Sequence, residues 1–419
     1  MTKPYCFERY IKTETCIPKS IKKVSEPRIY ITVNEAIEDF SAFKSIILYA
    51  YSGRQYWESP SLTFNDLFSS IDKKLHNMDS AKISIPELCD WYHTCLKGMK
   101  IVDNHLTIYT LYNGIFRFGA EYAAYFTDVT VEKDFNSYRV IQSNDKQINV
   151  GSIIDVNKDN LFKTLSPSDK EYYLVGIRSW TPVETISVEC NGKEIQLPLH
   201  KCRASANKFT GRRNHFIHSD VDGICVVTSN TFELNENYTF DMAKTLGKNL
   251  QSKKALIWNL SDNSGGTSDY ADYFIRGLNG YSECNTNVAI LHSNYTDASY
   301  NNTPYYKWDY IIDEGYDYSK SMYKGFLYVI MNSRTASSGE TAIGYAKSVE
   351  KCLTFGENSY GCGVFGELKY YQLPYSKTTM AVPSKIFLGD FEEGKGYTPD
   401  YWVDSIDVLS EVLKWLKYK

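Results

Sequence analysis

The sequence predicts a multidomain protein that combines α+β and α/β architecture, and three observations support this class. Apolar residues recur at helical spacing from about Val33 to Met99. Short runs typical of β-strands dominate from about Tyr122 to Arg203. From Phe209 onward, strand-like and helical patterns alternate, and this alternation favours an α/β domain.

A chain of 419 residues can hold two or three domains, each with its own core. We expect an N-terminal helical domain, a β-rich domain and an α/β domain, with the limits 1–110, 111–205 and 206–419. Three helices are predicted in the first domain from the periodic apolar positions that begin near Val33, Ser61 and Ile85.

The β-rich domain contains six strand-like runs, and Asn191-Gly192 lies between the last two. An Asn-Gly pair tolerates the positive φ angles of a two-residue hairpin turn, so these two runs should pair. The six runs are Val129–Val131, Tyr138–Ile141, Ser152–Ile154, Tyr173–Gly176, Ile186–Val188 and Glu194–Leu197.

In the α/β domain, the pattern predicts a buried strand at Phe326–Met331 and a closing amphipathic helix at Val408–Leu416. Other expected elements are strands at Gly223–Val227, Ala255–Leu260 and Leu353–Phe355, helices at Phe240–Leu250 and through Leu278, and a hairpin of Leu368–Leu373 with Thr379–Val382.

Composition excludes several classes of function. The net charge is −4 and basic residues form no stripe, so no nucleic-acid partner is expected. No apolar run approaches the about 18 residues of a membrane helix. The ten cysteines form no CxxC pair, which argues against a structural zinc site or disulfide framework. We expect a cytoplasmic protein, or a secreted or periplasmic one if a signal peptide has been removed.

The stretch from Phe326 to Ala346 reads as a strand, a tight turn and a helix, with Ser337 and Ser338 at the turn. This is where an α/β protein exposes a nucleophile, because the turn is sharp and the helix N-terminus supplies N–H groups. The alternative is that these serines only cap the helix.

Two further segments carry polar groups suited to catalysis. Gly265-Gly266 follows the predicted strand Ala255–Leu260, and such a loop lets backbone N–H groups approach an oxyanion; it could equally be a tight turn. His105, in Asp103-Asn104-His105 between a helix and a strand, is placed for proton transfer, or is a capping or surface histidine.

Taken together, these segments resemble the serine peptidases that include the tail-specific, C-terminal processing proteases and the related tricorn-core branch. The resemblance rests on five segments in the family's order: Asp103–His105, Leu256–Gly266, Thr335–Glu340, Phe355–Gly361 and Glu393–Asp400. It covers the C-terminal half densely and the N-terminal half only at His105.

The resemblance implies roles for individual residues. Ser337 would be the nucleophile, His105 the general base and acid, and Glu393 the group that orients the base, with Glu392 as its rival. The oxyanion hole would be formed by the backbone N–H of Ser338 and that of Gly265 or Gly266. No cofactor and no metal is implied.

The resemblance to one branch of the family rather than the other depends on the residue at position 362. The processing branch activates its serine with a lysine, whose place is taken here by Cys362, whereas the tricorn-like branch uses a histidine. The chain is therefore identified as closer to the tricorn-core branch. Other departures from the family pattern are Asn259 for Asp, Ser261 for Arg and Asn104 for Gly.

The resemblance also implies domain types and a substrate. The β-rich domain would be PDZ-like, with Asn149–Asn157 similar to a family phrase, and the last domain would have a ClpP/crotonase-like fold. The expected activity is serine endopeptidase cleavage of a peptide or protein, with cleavage near C-termini as one mode. The alternative is an inactive relative that binds peptide or a small apolar ligand, and the oligomeric state stays open.

A pair of histidines offers imidazole ligands for a metal ion. His215 and His218 are three residues apart and follow the polar stretch Arg212-Arg213-Asn214. A solvated surface is the preferred interpretation of both.

Overall fold

The computed structural model describes residues 28–110, 114–135, 137–206, 211, 213–293, 296, 306–389 and 392–418. Cys6 and Cys16, included in the cysteine argument, lie outside these residues. The described chain forms two compact units. The first is drawn from Met1–Ala120, Thr286–Asp313 and Val364–Gly394, and the second from Glu121–Asn285, Glu314–Gly363 and Lys395–Lys419.

Helices and strands alternate along the chain, which confirms a mixed α/β fold. The described residues form eight α-helices: α1 Val33–Tyr49, α2 Arg54–Trp57, α3 Phe64–His76, α4 Ile85–Gly98, α5 Phe240–Asn249, α6 Asp269–Asn279, α7 Ser338–Ala346 and α8 Val408–Leu416. The strands of the first unit are β1 Tyr30–Thr32, β2 Lys82–Ser84, β3 Asp103–Thr110, β4 Gly114–Phe118, β16 Asn287–Ser293, β17 Tyr306–Ile311, β20 Phe365–Gln372 and β21 Thr379–Leu388.

The strands of the second unit fall into an early and a late group. The early group is β5 Ala123–Asp134, β6 Ser137–Ser143, β7 Ile153–Asp155, β8 Leu161–Thr164, β9 Tyr172–Ser179, β10 Thr185–Cys190, β11 Lys193–Pro198 and β12 His200–Lys201. The late group is β13 Ile217–Val221, β14 Ile224–Thr228, β15 Ala255–Asn259, β18 Phe326–Met331, β19 Cys352–Gly356 and β22 Tyr401–Trp402.

The first unit contains the three predicted long helices, α1, α3 and α4. Thr32 caps α1: its hydroxyl accepts the N–H of Glu35, whose carboxylate accepts the N–H of Thr32 in return. The helices share a core with apolar residues of β3 and β21. A six-stranded sheet runs in the order β17-β16-β21-β3-β4, with β20 paired to β21.

The second unit contains one 14-stranded sheet, in the order β11-β10-β7-β6-β5-β9-β8-β22-β19-β18-β15-β14-β13, with β12 paired to β5. The strands β14, β15, β18, β19 and β22 are parallel to one another. Their carboxyl ends therefore meet at one edge, where α/β proteins place their sites.

The faces of the parallel part are covered by different elements, as the strand period of two requires. In β15, Trp258 packs in a core that includes residues of α5, α6 and α7. Its neighbour Ile257 packs on the opposite face, with residues of α8.

The β-rich segment has the antiparallel pairing that the sequence predicts. Cys190 pairs with Lys193 across Asn191-Gly192, and these two residues have φ angles of 52° and 77°. The predicted hairpin of β10 and β11 is therefore confirmed. The proposed domain limits at 110 and 205 stay a prediction. Among the described helices, none has the length and apolar character needed to cross a membrane.

Candidate active site

Ser337 lies at the turn between β18 and α7 and is half-buried. Its backbone has φ 54° and ψ −121°, a conformation that costs about 1–3 kcal/mol for a residue with a side chain. The preceding residue is fixed by a hydrogen bond in which the N–H of Ala336 donates to the carbonyl oxygen of Asn263 at 2.8 Å. This strained strand-to-helix turn has the geometry of a nucleophile elbow.

The buried carboxylate of Glu340 holds this turn in place. Its Oε2 accepts the N–H of Ser337 at 3.1 Å and that of Cys362 at 2.8 Å. Its Oε1 accepts the hydroxyl of Ser359 at 2.6 Å and the N–H of Gly361 at 2.9 Å. Burial raises the pKa of Glu340, and these four donors oppose that rise. The carboxylate thus ties the elbow to the loop that follows β19.

Cys362 also contacts the elbow. Its Sγ accepts the N–H of Ser337 at 3.1 Å, and its side chain is 5% exposed. A thiol at this place supports the backbone of the serine and offers no ammonium group for its activation.

The Gly-Gly loop lies directly against the elbow. A Cβ atom on Gly265 would come within 2.9 Å of the Cβ atom of Ser337, so only glycine fits there. The N–H of Gly265 already donates to Oδ1 of Asn263 at 2.9 Å. The hydroxyl of Ser338 donates to the carbonyl oxygen of Gly266 at 2.7 Å and links the loop to α7.

The N–H groups of Ser338 and Gly266 are the remaining candidates for an oxyanion hole. Within the described part of the chain, no hydrogen bond occupies either of them. The positive end of the α7 dipole adds to the field at Ser338. Of the two glycines that the sequence left open, Gly266 is thus the better donor.

The first unit holds a second cluster of polar groups around His105. One ring nitrogen of His105, one carboxylate oxygen of Asp103 and one of Glu393 lie within 4.8 Å of one another. Contrary to the predicted boundary position, His105 lies inside β3, which begins at Asp103. Both carboxylates therefore lie close to the imidazole.

Glu393 is anchored by backbone N–H groups. Its Oε1 accepts the N–H of Asn104 at 2.8 Å, and its Oε2 accepts the N–H of Val364 at 2.9 Å. Glu393 is 8% exposed, whereas Glu392 lies at the surface. These contacts favour Glu393 over its rival as the partner of His105.

Asp103 is fully buried and is held from both sides. Its Oδ1 accepts the N–H groups of His105 at 2.8 Å and Leu106 at 2.9 Å, and its Oδ2 accepts the hydroxyl of Tyr51 at 2.9 Å. Burial raises the pKa of Asp103 to about 6 and lowers the pKa of His105 to about 4. The imidazole is thus neutral at neutral pH, as a general base must be.

The same three side chains are also ligand types that a divalent cation accepts. Imidazole nitrogen and carboxylate oxygens bind zinc and related metals. Each carboxylate oxygen of Asp103 and Glu393 accepts a hydrogen bond from the protein, so both side chains are held in place by the fold.

The predicted residues thus form two groups. Ser337, Ser338, Gly265 and Gly266 are brought together in the second unit. His105 and Glu393 are brought together in the first. The pairing of Ser337 with His105 joins residues of different units and stays a prediction.

Two residues near these groups were not assigned roles from sequence. Asp103 and Glu340 stand in the quoted segments, but a carboxylate two residues before a histidine or three after a serine carries no distinctive signal. The capping-box spacing of Ser337 and Glu340 was the available clue for Glu340.

One interpretation of a histidine is wrong. His215 is 7% exposed, and its Nε2 bonds the carbonyl oxygen of Glu233. Its ring packs against Tyr238 and Tyr270, so the site is aromatic core and not solvated surface. His218, in β13, is exposed as expected.

Comparison with known families supplies the class of this catalytic segment. Residues 223–403, which include the elbow, match the model of peptidase family S41. This part of the chain is similar to peptidase family S41. The resemblance to tail-specific peptidases and the class of serine-type peptidase are thereby confirmed. The S41 match does not separate the tricorn-core branch from the processing branch, and the branch stays a prediction.

Several solved structures are similar to this chain. Mature CPAF is 12% identical, with 92% of this chain and 97% of that chain covered and a TM-score of 0.49. The photosystem II D1 C-terminal processing protease is 14% identical, with coverages of 88% and 93% and a TM-score of 0.42. Tricorn protease is 12% identical, with coverages of 90% and 35% and a TM-score of 0.38. A comparison with curated proteins gives no match.

Proposed function

We propose that this protein is a serine endopeptidase that cleaves peptide bonds through an acyl-enzyme on Ser337. The observation that carries the proposal is the strained backbone of Ser337 at the start of α7, beside the N–H groups of Ser338 and Gly266. Strained backbone conformations of this kind cluster at functional sites, where they expose a nucleophile. The S41 match over the same segment supports the reaction class.

The proposed reaction uses the residues to which the family resemblance assigns roles. Oγ of Ser337 attacks the carbonyl carbon of the substrate while His105 takes the hydroxyl proton. The N–H groups of Ser338 and Gly266 stabilise the oxyanion. The C–N bond then breaks, His105 gives its proton to the leaving amine, and a water molecule hydrolyses the acyl-enzyme by the same proton route. Glu393 and Asp103 stabilise the imidazolium that forms.

The decisive variant is Ser337→Ala. We expect peptide hydrolysis and labelling by a fluorophosphonate probe to be lost, because both need the hydroxyl of Ser337. Ser319→Ala is the matched control, since Ser319 is an exposed serine of the same unit outside the site. Thermal unfolding of each variant should match that of the wild type. Hydrolysis that persists in a folded Ser337→Ala protein would contradict the proposal. Absence of both hydrolysis and labelling in the wild type would favour the inactive relative that binds peptide or a small apolar ligand.

A preference for substrate C-termini is the finer part of the proposal. The antiparallel segment from β5 to β12 is inferred to be a PDZ-like domain that docks peptide ends by strand addition. The helical part of the first unit and a ClpP/crotonase-like fold for the catalytic segment complete the proposed organisation. A cytoplasmic location also stays a prediction.

Peptides that differ only at their C-terminus test this preference. A free carboxylate should give a kcat/KM at least about tenfold above that of the amidated peptide, because one well-placed charged contact is worth about 1.5–3 kcal/mol. Equal values would remove the C-terminal preference and leave the endopeptidase proposal intact.

A further inference from the structure

Tyr51 is a buried tyrosine with a hydroxyl that has two specific partners. It lies just after α1 and is 0% exposed. Its hydroxyl donates to Oδ2 of Asp103 at 2.9 Å and accepts the indole N–H of Trp57 at 2.9 Å. The hydroxyl proton is thus directed at the carboxylate, because its lone pair is already engaged by Trp57.

Asp103 links this tyrosine to the imidazole. Its other oxygen, Oδ1, accepts two backbone N–H groups, including that of His105 at 2.8 Å. One of its carboxylate oxygens lies within 4.8 Å of a ring nitrogen of His105. Hydrogen bonds therefore join Trp57, Tyr51 and Asp103, and the ring of His105 lies within 4.8 Å of the Asp103 carboxylate, all inside the first unit.

We propose that Tyr51 is a positioning residue for the general base, acting on His105 through Asp103, with Trp57 fixing the direction of the tyrosine hydroxyl. This inference rests on the proposed function. The hydroxyl of Tyr51 stabilises Asp103 as a carboxylate at a place where burial opposes its charge. An ionised carboxylate beside the ring stabilises the imidazolium that forms during catalysis.

The groups around Asp103 determine in which direction its pKa should change when the Tyr51 hydroxyl is removed. The titratable groups that face it are Tyr51, His105 and Glu393. Burial raises the pKa of Tyr51 well above its usual value, as does the nearby Asp103, so the phenol stays protonated and donates. The hydrogen bond from Tyr51 lowers the pKa of Asp103, which nevertheless stands at about 6.

Loss of that hydrogen bond should therefore raise the pKa of Asp103 further. Because catalysis needs Asp103 ionised, activity is lost as the pH falls through this pKa. The acid limb of kcat/KM should lie near pH 6 in the wild type and at a higher pH without the hydroxyl. If catalysis did not need an ionised Asp103, the acid limb of kcat/KM would instead lie near pH 4, because the pKa of His105 is about 4.

Tyr51→Phe tests the proposal, with Tyr92→Phe as the matched control. Tyr92 is another tyrosine of the same unit that is 0% exposed, and its ring stacks on Phe43. Among the described residues its hydroxyl has no hydrogen-bond partner. We expect Tyr51→Phe to lower kcat about tenfold or more with KM changed less than about twofold, and to move the acid limb upward. Tyr92→Phe should change neither kcat nor the limb.

A second readout does not depend on hydrolysis. In the Ser337→Ala background, NMR titration of the His105 imidazole should show a changed pKa when Tyr51→Phe is added. The pKa should stay the same when Tyr92→Phe is added. This measurement remains decisive even if the wild type hydrolyses no peptide, so the two proposals fail separately.

Trp57→Phe covers the case in which Tyr51→Phe does not fold. It removes the donor that fixes the hydroxyl of Tyr51 and should move kcat and the acid limb in the same direction by a smaller amount. Unchanged kcat, limb and imidazole titration in a folded Tyr51→Phe protein, or equal effects of Tyr51→Phe and Tyr92→Phe, would overturn the inference.

Discussion

At the residue scale, the buried carboxylates of the two candidate clusters are stabilised by hydrogen bonds from backbone N–H groups and from hydroxyl groups. Glu340 accepts three backbone N–H groups and one hydroxyl, and Glu393 accepts two backbone N–H groups. Asp103 accepts two backbone N–H groups and one phenol. Backbone donors are fixed by the fold, so each carboxylate has one favoured orientation. This arrangement suits groups that must hold a nucleophile or a base in place.

Glu340→Gln should weaken both the fold and the site. Both oxygens of Glu340 accept N–H donors, so either orientation of the amide places its NH2 group against a backbone N–H. We expect a loss of about 2–4 kcal/mol in the free energy of unfolding, measured by chemical denaturation, and at least about tenfold slower fluorophosphonate labelling of Ser337.

Ser359→Ala is the control for this variant. It removes the hydroxyl that donates to Oε1 and that accepts the N–H of Tyr397, and it leaves the N–H of Ser337 paired with Glu340. Its labelling rate should stay within about threefold of the wild type. If Glu340→Gln labels as fast as Ser359→Ala, the carboxylate does not hold the elbow.

Motif spacing predicted the elbow better than it predicted the groups that support it. Ser337, Gly265 and Gly266 stand next to an apolar strand in the sequence, and the turn geometry follows from that local pattern. Tyr51 is separated from Asp103 by 52 residues, so their hydrogen bond could not be read from spacing. Long-range polar contacts depend on tertiary packing, which a single sequence does not encode locally.

At the element scale, apolar periodicity predicted most helices and strands. The predicted bounds of β18 and α8 are those of the structure, and α1 ends at the last predicted apolar position, Tyr49. β16 and β17 were not predicted. β16 pairs with β17 and with β21. These strands depend on pairing within the sheet, which the apolar pattern of their own residues does not indicate.

The hairpin of β10 and β11 allows a direct test at this scale. Gly192 has a φ of 77° and Asn191 a φ of 52°, so both turn residues have left-handed backbones. Gly192→Ala should cost about 1 kcal/mol of unfolding free energy, because a β-carbon is strained at positive φ. Thermal unfolding measures this loss.

Asn191→Gly is the matched control at the neighbouring position. Glycine adopts positive φ without strain, so this variant should be within about 0.5 kcal/mol of the wild type. A larger loss from Asn191→Gly than from Gly192→Ala would contradict the turn geometry.

At the scale of the whole molecule, strands far apart in sequence join into single sheets. β21 pairs with both β3 and β16, so segments 286–313 and 364–394 are in one compact unit with the N-terminal helices. β8 pairs with β22 through Thr164 and Trp402, which makes the β-rich segment continuous with the parallel strands. Periodicity gives the class of each element but not these partners, because pairing between distant strands depends on tertiary contacts.

A buried acid of the second unit should make the stability of the molecule depend on pH. Glu357 is 0% exposed, and its Oε2 accepts the hydroxyl of Ser205 at 2.6 Å. Burial raises its pKa from 4.5 to about 7. Because the folded state binds the proton more tightly, the stability from Glu357 is complete below pH 4.5 and is lost as the pH rises to 7.

Glu357→Gln should remove this loss, since an amide of the same shape can accept from Ser205 and carries no charge at any pH. We expect the unfolding free energy of the variant, relative to that of the wild type, to increase as the pH rises from 5 to 7.5. The total increase should be about 3 kcal/mol at most. Chemical denaturation at several pH values measures the difference. Glu392→Gln is the control for replacing a glutamate by glutamine, because Glu392 lies at the surface. Parallel curves for Glu357→Gln and the wild type would show that the burial of this carboxyl does not control the pH dependence of the fold.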